Sequence, residues 1–408
     1  MEKYDALSLL GQVEIEEAGE VFRDLLRGVV RETILGVMAR EVETLCGPAY
    51  YPDSTTDHTR AGSAAGSVLV EGRREEVQRP RVRRRKADGS TEEAALVSYR
   101  TAREPGELHA MLLRALAGGV STRDQKRVYP ESPGASKSNV SRLFVNEGGR
   151  LFEEFRARDI VRDDWLILML DGVRLAEEMW AIVALGVAGD GTKYMLDFEV
   201  GASESAEVAT ALLSRLVDRG FAPKVGCRLL CVLDGAKALK TAVKKHWPSA
   251  VIQRCLVHKE RNLKGYLSKR DWAELARLMT RLRKVQGAEA GRKALADLRS
   301  FLAGRNAEAT ASLDEAGDEL IALHLLEVPN TLHVNLLSTN AIENSIGNIR
   351  RKIGRVTRWR VETDQARRWL ALALTEAEKG FRKISGYLDL PTLAHALAQK
   401  SEETGAMP

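Results

Sequence analysis

Two apolar runs in this chain end in the same three letters, Leu-Asp-Gly, and that repeat constrains the fold more than any other feature. WLILML (165–170) runs into Asp171–Gly172, and CRLLCVL (227–233) runs into Asp234–Gly235. Short apolar runs bounded by turn residues read as buried strands. Each of these strands therefore delivers a carboxylate to its end. Either Asp–Gly alone is also an ordinary turn at a strand terminus; what matters is the pair and the elements between its members.

After Asp171, WAIVALGVA (180–188) reads as a second strand and KYMLDFEV (193–200) as a third, with a turn at Gly189, Asp190 and Gly191. An amphipathic helix over 204–219 follows, then the strand ending at Asp234. A helix from about Ala236 to Trp247, a short strand around Val251–Arg254 and a further helix complete the series. Strand, strand, strand, helix, strand, helix, strand, helix is the order of a ribonuclease-H-like α/β fold. In that topology the first and fourth strands are neighbours, so Asp171 and Asp234 come together. Two such carboxylates repel unless a cation lies between them. Hard oxygen ligands favour magnesium, with manganese as its substitute.

The chain before this segment is mainly helical. Residues 13–45 read as one or two amphipathic helices, with Val21, Leu25, Val29, Ile34 and Met38 as the apolar stripe. Residues 47–66, rich in Gly, Pro, Ser and Thr, read as a connector. Two short strands around a turn at Glu71–Gly72 come next. Residues 71–86 hold eight Arg/Lys against three Glu, and Arg81, Arg83, Arg84, Arg85 and Lys86 are candidates for phosphate contact. An apolar helix over Leu108–Leu116 precedes AGGVSTRDQKR, where Ser121 and Asp124 take a capping-box arrangement. A turn and a short helix capped by Ser136 or Ser138 follow. The pair fits a helix-turn-helix, with Arg123, Lys137 and Arg142 as DNA contacts; a generic helical pair fits the same letters.

Beyond Asp234, Cys255 and His258 sit in QRCLVHKERNLK at a spacing that puts both on one face of a helix. Residues further along do not complete a zinc cluster, so packing or a place beside the acidic pocket fits these two better. Lys259 and Arg261 add positive charge there. Residues 271–335 read as a helical insertion. Glu343 follows in STNAIENSIGNIRRKIGRVTRWR. With Asn340 as N-cap it would be an ordinary capping-box glutamate. Arg350 lies two turns on along the same face, and Arg351, Lys352, Arg355 and Arg358 make the segment densely basic, as suits a phosphodiester. Trp359 fits either base stacking or a core position.

Composition narrows the class. A formal net charge of +5 over 408 residues suits a nucleic-acid partner without requiring one. The four cysteines do not resemble a disulfide scaffold and contain no Cys-x2-Cys pair, which favours a reducing compartment. No signal sequence and no apolar run long enough to span a bilayer is visible. The expected location is cytoplasmic and nucleoid-associated, with no membrane partner.

The phrases GVSTRD from Gly119, VSRLF (140–144), LDGV, LDGAK, QRCLVHKERN and STNAIENSIGNIRR together resemble bacterial insertion-sequence transposases of the IS256 family, relatives of the eukaryotic Mutator-like transposases. The resemblance covers nearly the whole chain. It implies a DDE transposase with Asp171, Asp234 and Glu343 as catalytic, metal-holding triad. Cys255 and His258 match the family's Cys-x2-His signature and Arg350 its basic residue after the glutamate. It implies binding of terminal inverted repeats, magnesium-dependent strand cleavage and joining, often by a copy-out, paste-in route. Its partners would be double-stranded transposon ends and target DNA, handled by a homodimer. After Glu343–Asn344 this chain has Ser-Ile-Gly-Asn where relatives carry a more polar phrase. The expected division is 1–66 helical, 67–103 strands with the basic cluster, 104–150 helix-turn-helix-like, 160–262 with 336–375 catalytic, 263–335 insertion and 376–408 C-terminal tail. A nuclease on the same fold, or a DNA-binding repressor of transposition without catalysis, are the competing classes.

Overall fold

The computed structural model describes residues 15–402, apart from positions 52, 54, 71–72, 104–105, 131–133, 204, 354–355, 357–358 and 361–362 and the side chains of some others. It contains two compact units, Met1–Leu143 and Phe144–Pro408.

In the first unit, residues 15–46 form one continuous helix, α1 (Ile15–Cys46). Of the expected apolar stripe only Met38 is fully buried; with Val42 and Cys46 it closes over Val68, Val70, Val77 and Val82. Phe22, Val29 and Val37 are each more than half exposed. Three antiparallel strands follow in sequential order: β1 (His58–Val70), β2 (Arg73–Arg85) and β3 (Thr91–Ala94). β1 thus begins inside the stretch that reads as a connector. Its first half carries small and polar side chains that cover no core, so no apolar alternation marks it; backbone pairing to β2 defines it. The expected turn at Glu71–Gly72 lies outside the described residues. A short helix, α2 (Val97–Arg103), is capped from α1, where Glu41 accepts from the amides of Val97 (2.7 Å) and Ser98 (2.9 Å).

The helix-turn-helix segment differs from expectation in length. α3 (Gly106–Ala117) is followed by a single helical turn, α4 (Gln125–Val128), and then by α5 (Lys137–Ala157) of 21 residues. Ser121 Oγ accepts from the Asp124 amide, as in the expected capping box, but the Asp124 carboxylate accepts from the Ser121 hydroxyl in place of the Ser121 amide. Ser136, not Ser138, caps α5 by accepting from the Asn139 amide. α5 is long because Val140, Leu143, Phe144, Phe152 and Phe155 continue one buried helical stripe.

The second unit is built on a five-stranded mixed sheet of β4 (Trp165–Ala176), β5 (Met179–Ala188), β6 (Lys193–Gly201), β7 (Leu230–Leu233) and β8 (Val251–Arg254). Its order is β6-β5-β4-β7-β8. β4–β5 and β5–β6 are antiparallel; β4–β7 and β7–β8 are parallel. With helices on both faces this is the ribonuclease-H-like topology. α6 (Ala206–Asp218) and α7 (Lys237–His246) cover one face through Leu212, Leu213, Leu216, Leu239 and Val243, which pack on Leu168, Leu170 and Ile182. The opposite face, Ile167, Met169, Val183, Leu230 and Val232, packs in one core with the helices that follow β8.

Those helices begin with α8 (Leu256–Tyr266). Residues 271–335 are helical as expected: α9 (Trp272–Lys284), α10 (Ala288–Ala303), α11 (Ala307–Ala316), α12 (Ala322–Leu325) and α13 (Asn330–Leu336). α14 (Asn340–Ile353) and α15 (Gln365–Glu378) complete this side. The segment that reads as a tail ends in α16 (Leu390–Glu402), whose Leu390, Leu393 and Leu397 are fully buried in the same core. Among the described residues no helix is long and apolar enough to cross a membrane.

Candidate catalytic and metal-binding site

The pleat of the sheet decides where the acidic residues point. Ile167 pairs with Leu230, Met169 with Val232 and Leu170 with Leu233. Asp171 is the next residue of β4, and Asp234 is the residue that follows the end of β7. Alternation puts them on the Ile167, Met169 and Val232 face, toward the later helices. The two Leu-Asp-Gly phrases are otherwise unlike. β4 continues past Asp171, which pairs with Val183, and Gly172 pairs with Ile182 inside the strand. The expectation that β4 ends at Asp171 is therefore corrected: its antiparallel partner β5 keeps pairing with it as far as Met179. β7 does stop before Asp234. There Gly235 takes φ +113, and Asp234 accepts from the Ala236 amide at 2.8 Å.

The third carboxylate arrives from α14, anchored in the core by Ile342, Ile346 and Ile353. The helix begins at Asn340, so Thr339 holds the N-cap position and Glu343 is one residue past the capping-box slot. The Asn340 amide pairs with Ser338 Oγ instead of Glu343. Glu343 accepts from Thr339 Oγ1 at 2.5 Å and lies 3.6 Å from His258 Nδ1. The ordinary capping-box reading of Glu343 does not describe its side chain.

Cys255 and His258 stand at the start of α8. Cys255 is fully buried and its Sγ is the N-cap, accepting from the His258 amide at 3.4 Å. It also accepts from the Thr339 amide at 3.4 Å and lies 3.4 Å from Thr339 Oγ1, while Cys255 N donates to Leu233 O at 2.8 Å. One residue thus connects the end of β7, the start of α8 and the entry to α14. Thr339, wholly buried, was not apparent from sequence; a hydroxyl four residues before an acid on a helix entrance is the only signal it offers.

Electrostatics couple the two sides of this arrangement. Burial and the neighbouring Asp234 charge push the Asp171 carboxyl up to about 7, with Glu343 adding to the rise and His258 opposing it. The imidazole of His258 is pushed up to about 9, first by the Cys255 sulfur, then, against burial, by Glu343 and Asp171. Burial would raise the Cys255 thiol, but hydrogen bonds with His258 and Thr339 bring it below its ordinary value. The site is a buried acidic group balanced by one imidazolium.

Two donor sets share Glu343. Cys255, His258 and Glu343 have ligand atoms within 4.8 Å of one another, the one such group found among the described residues and a candidate metal-coordinating cluster. Asp171, Asp234 and Glu343 offer only oxygens and interact over a longer range. Burial first, and the Asp234 charge second, raise Asp171, so a cation bound on that face of the sheet would lower it again.

The basic residues sort by exposure. Arg83, Arg84, Arg85, Arg123, Lys137, Arg142, Arg261 and Arg350 are exposed. Arg81 is bound to Glu93 through two hydrogen bonds and Lys86 to Glu92 at 2.8 Å. Lys259 is buried, its ammonium donating to Ser312, so it is directed into the insertion. The side chains of Arg351 and Lys352, and Arg355 and Arg358 altogether, lie outside the described residues. Trp359 packs against the core.

A ribonuclease-H-like sheet carrying acids at adjacent parallel strands, with a third acid from a later helix, defines a class of metal-dependent nucleic-acid-processing enzymes. The comparisons make this specific. A family profile described as "Transposase, Mutator family" matches residues 1–383, so the chain belongs to the Mutator family of transposases. It is 27% identical to the transposase for insertion sequence element IS6120 of Mycolicibacterium smegmatis, over 60% of this chain and 75% of that one. It is 25% identical to the IS1201 transposase of Lactobacillus helveticus, over 81% and 88%. Identity to the IS256 transposase of transposon Tn4001 from Staphylococcus aureus is 27%, over 63% and 66%.

Proposed function

We propose that this transposase is a DDE enzyme in which Asp171, Asp234 and Glu343 hold divalent magnesium and carry out strand cleavage and strand transfer at transposon ends. The observation that carries the reading is the Asp171 carboxyl, facing the later helices and raised first by its burial and then by the Asp234 charge. Three hard oxygen donors fit magnesium or manganese, whereas the Cys255 sulfur already accepts hydrogen bonds from the His258 and Thr339 amides. When bound, such ions activate an attacking hydroxyl and stabilise the departing oxygen of a phosphodiester.

The chain's own residues supply the rest. β4 holds Asp171 within the sheet, and the turn that ends β7 holds Asp234 through the Ala236 amide. Thr339 and His258 fix the Glu343 carboxylate. The imidazolium of His258 keeps the acidic cluster from carrying its full negative charge before a phosphodiester approaches. Exposed Arg261 and Arg350 are proposed to receive phosphates. Arg83, Arg84 and Arg85, with Arg123, Lys137 and Arg142, are the residues proposed to engage the terminal inverted repeats. Synapsis of two ends calls for a homodimer, and the proposed route is copy-out, paste-in through a circular intermediate.

The test uses labelled end DNA, a target duplex, magnesium and the purified full-length protein beside Asp234→Asn (D234N). The expected result is cleavage and joining by the parent and neither by the variant. Joining distinguishes a transposase from a nuclease on the same fold. Parental rates in the variant would remove Asp234 from the metal site, and end binding without cleavage by the parent would favour the repressor reading.

A further inference from the structure

In the first unit the arginines are not evenly distributed, and the most organised group lies away from those named above. Tyr99 of α2 lies across β1 so closely that a Cβ on Gly66 would come to 2.5 Å from its hydroxyl and 3.2 Å from its Cζ, so a side chain there would push the ring aside. The guanidiniums of Arg79 and Arg103 lie 4.9 Å and 5.4 Å from the centroid of that ring. Cation–π contact at these distances holds long side chains in a limited set of orientations. Tyr99 and Arg103 are one helical turn apart on α2, and Arg100 stands three residues before Arg103. The helix is fixed by the Glu41 cap and by Tyr99 packing on two small cores of the unit.

Two open cavities, about 660 Å³ and 550 Å³, share Arg79, Tyr99 and Arg103 as lining. Arg74 and Arg100 line the second, so four arginines face these spaces against Glu76 and Glu93. Glu93 is already bound by Arg79 and Arg81. Arg100 and Arg103 are exposed, and neither has an ion pair among the described residues. Basic residues in a last helical turn also favour the helix dipole, but that needs no aromatic platform and no cavity.

We propose that Tyr99 with Arg74, Arg79, Arg100 and Arg103 forms a clamp for the phosphodiester backbone of duplex DNA, separate from the helix-turn-helix segment and from Arg83–Arg85. The guanidinium forks match phosphate oxygens, and the tyrosine supplies order without reading sequence. The clamp rests on the reading of this chain as a DNA-handling enzyme, and it adds affinity that is independent of sequence.

The experiment measures fluorescence anisotropy of a random-sequence duplex with the full-length protein across a potassium chloride series. Each lost phosphate contact removes about 0.9 from the slope of log affinity against log salt. R100Q/R103Q, at exposed positions, is expected to flatten the slope by about 1.8, while R270Q, an exposed arginine of the insertion, leaves it at the parental value. Tyr99→Leu is expected to weaken binding several-fold with all charges retained. A parental slope in R100Q/R103Q, with or without a change in melting temperature, overturns the clamp and leaves DNA binding intact. Salt-insensitive or undetectable binding by the parent overturns both the clamp and the DNA reading beneath it.

Discussion

Thr339 Oγ1 donates to Glu343 Oε1 at 2.5 Å, while the Thr339 amide donates to Cys255 Sγ at 3.4 Å. A hydroxyl has one proton to give, and the shorter contact shows that it goes to the carboxylate. The remaining lone pairs face His258 Nδ1 at 3.4 Å. Thr339 therefore passes the imidazolium's influence to Glu343 and sets the rotation of the acid. Thr339→Val keeps the shape and removes the proton. Loss of a hydrogen bond that orients a metal ligand typically costs 10–100-fold in activity or metal affinity. The expectation is that decrease in strand cleavage with unchanged end-DNA affinity, and recovery in Thr339→Ser. Parental cleavage by the valine variant would show that Glu343 is oriented by its backbone alone.

Asp234→Asn should also affect the protein without metal. The folded pKa of Asp171 is raised above its ordinary 3.8 to about 7. The resulting cost to stability is absent in acid, appears as pH rises from about 4, and is complete above about 7. Neutralising Asp234 removes part of that repulsion, so at pH 8 the variant should melt a few degrees higher than the parent. About 1 kcal/mol corresponds to roughly 2–4 °C for a unit of 150–250 residues. Magnesium or manganese should raise the melting temperature of the parent and leave the variant nearly unmoved. A variant that melts lower, or that keeps the full metal response, contradicts the coupling.

How much of this was legible beforehand follows from what each feature depends on. The sheet was legible because Ile167, Met169, Leu230 and Val232 are apolar for one local reason, burial on a strand. Asp171 and Asp234 followed from strand order. The role proposed for Glu343 needs the family phrases, because local rules explain an acid near a helix start equally well as a cap. Thr339 and the N-cap at Cys255 were not legible: both depend on three segments meeting, and no period in the sequence records that. The strand from His58 was missed because pairing with β2, rather than side-chain burial, holds it.

The glycines of the two Leu-Asp-Gly phrases provide a sharper case. Gly172 sits in an ordinary strand position, whereas Gly235 has φ +113 and faces the Arg254 side chain, with a Cβ expected 3.2 Å from its Cδ. Gly235→Ala should cost roughly 1–3 kcal/mol from the backbone conformation and displace Asp234, which bonds the amide two residues on. Chemical denaturation and the cleavage assay should both show a loss. For Gly172→Ala the backbone penalty is absent. Equal destabilisation by the two substitutions would mean that the turn at Gly235 tolerates a side chain.

His324 and His333 provide a test of the insertion that is independent of the catalytic site. Both are buried, their rings 4.7 Å apart, and His324 Nε2 lies 3.0 Å from Leu282 O. Burial first, and then the His324 charge, push His333 down to about 4; burial likewise lowers His324. A depressed folded pKa means that the unfolded chain takes up the proton first as pH falls. Stability is therefore complete above about 6.5 and is lost as pH drops from there toward 4. For His333 alone the full shift sets an upper bound of about 3 kcal/mol, since each unit is worth about 1.4. His333→Gln should flatten the fall between pH 6.5 and 4 while lowering stability at pH 8 through poorer packing. Urea unfolding at four or five pH values, followed by the tryptophan signal, gives the slope directly. If the variant is as acid-sensitive as the parent, the histidine pair is not what weakens the insertion, and Glu315, whose carboxyl the Arg254 hydrogen bond holds below its ordinary value, becomes the group that does.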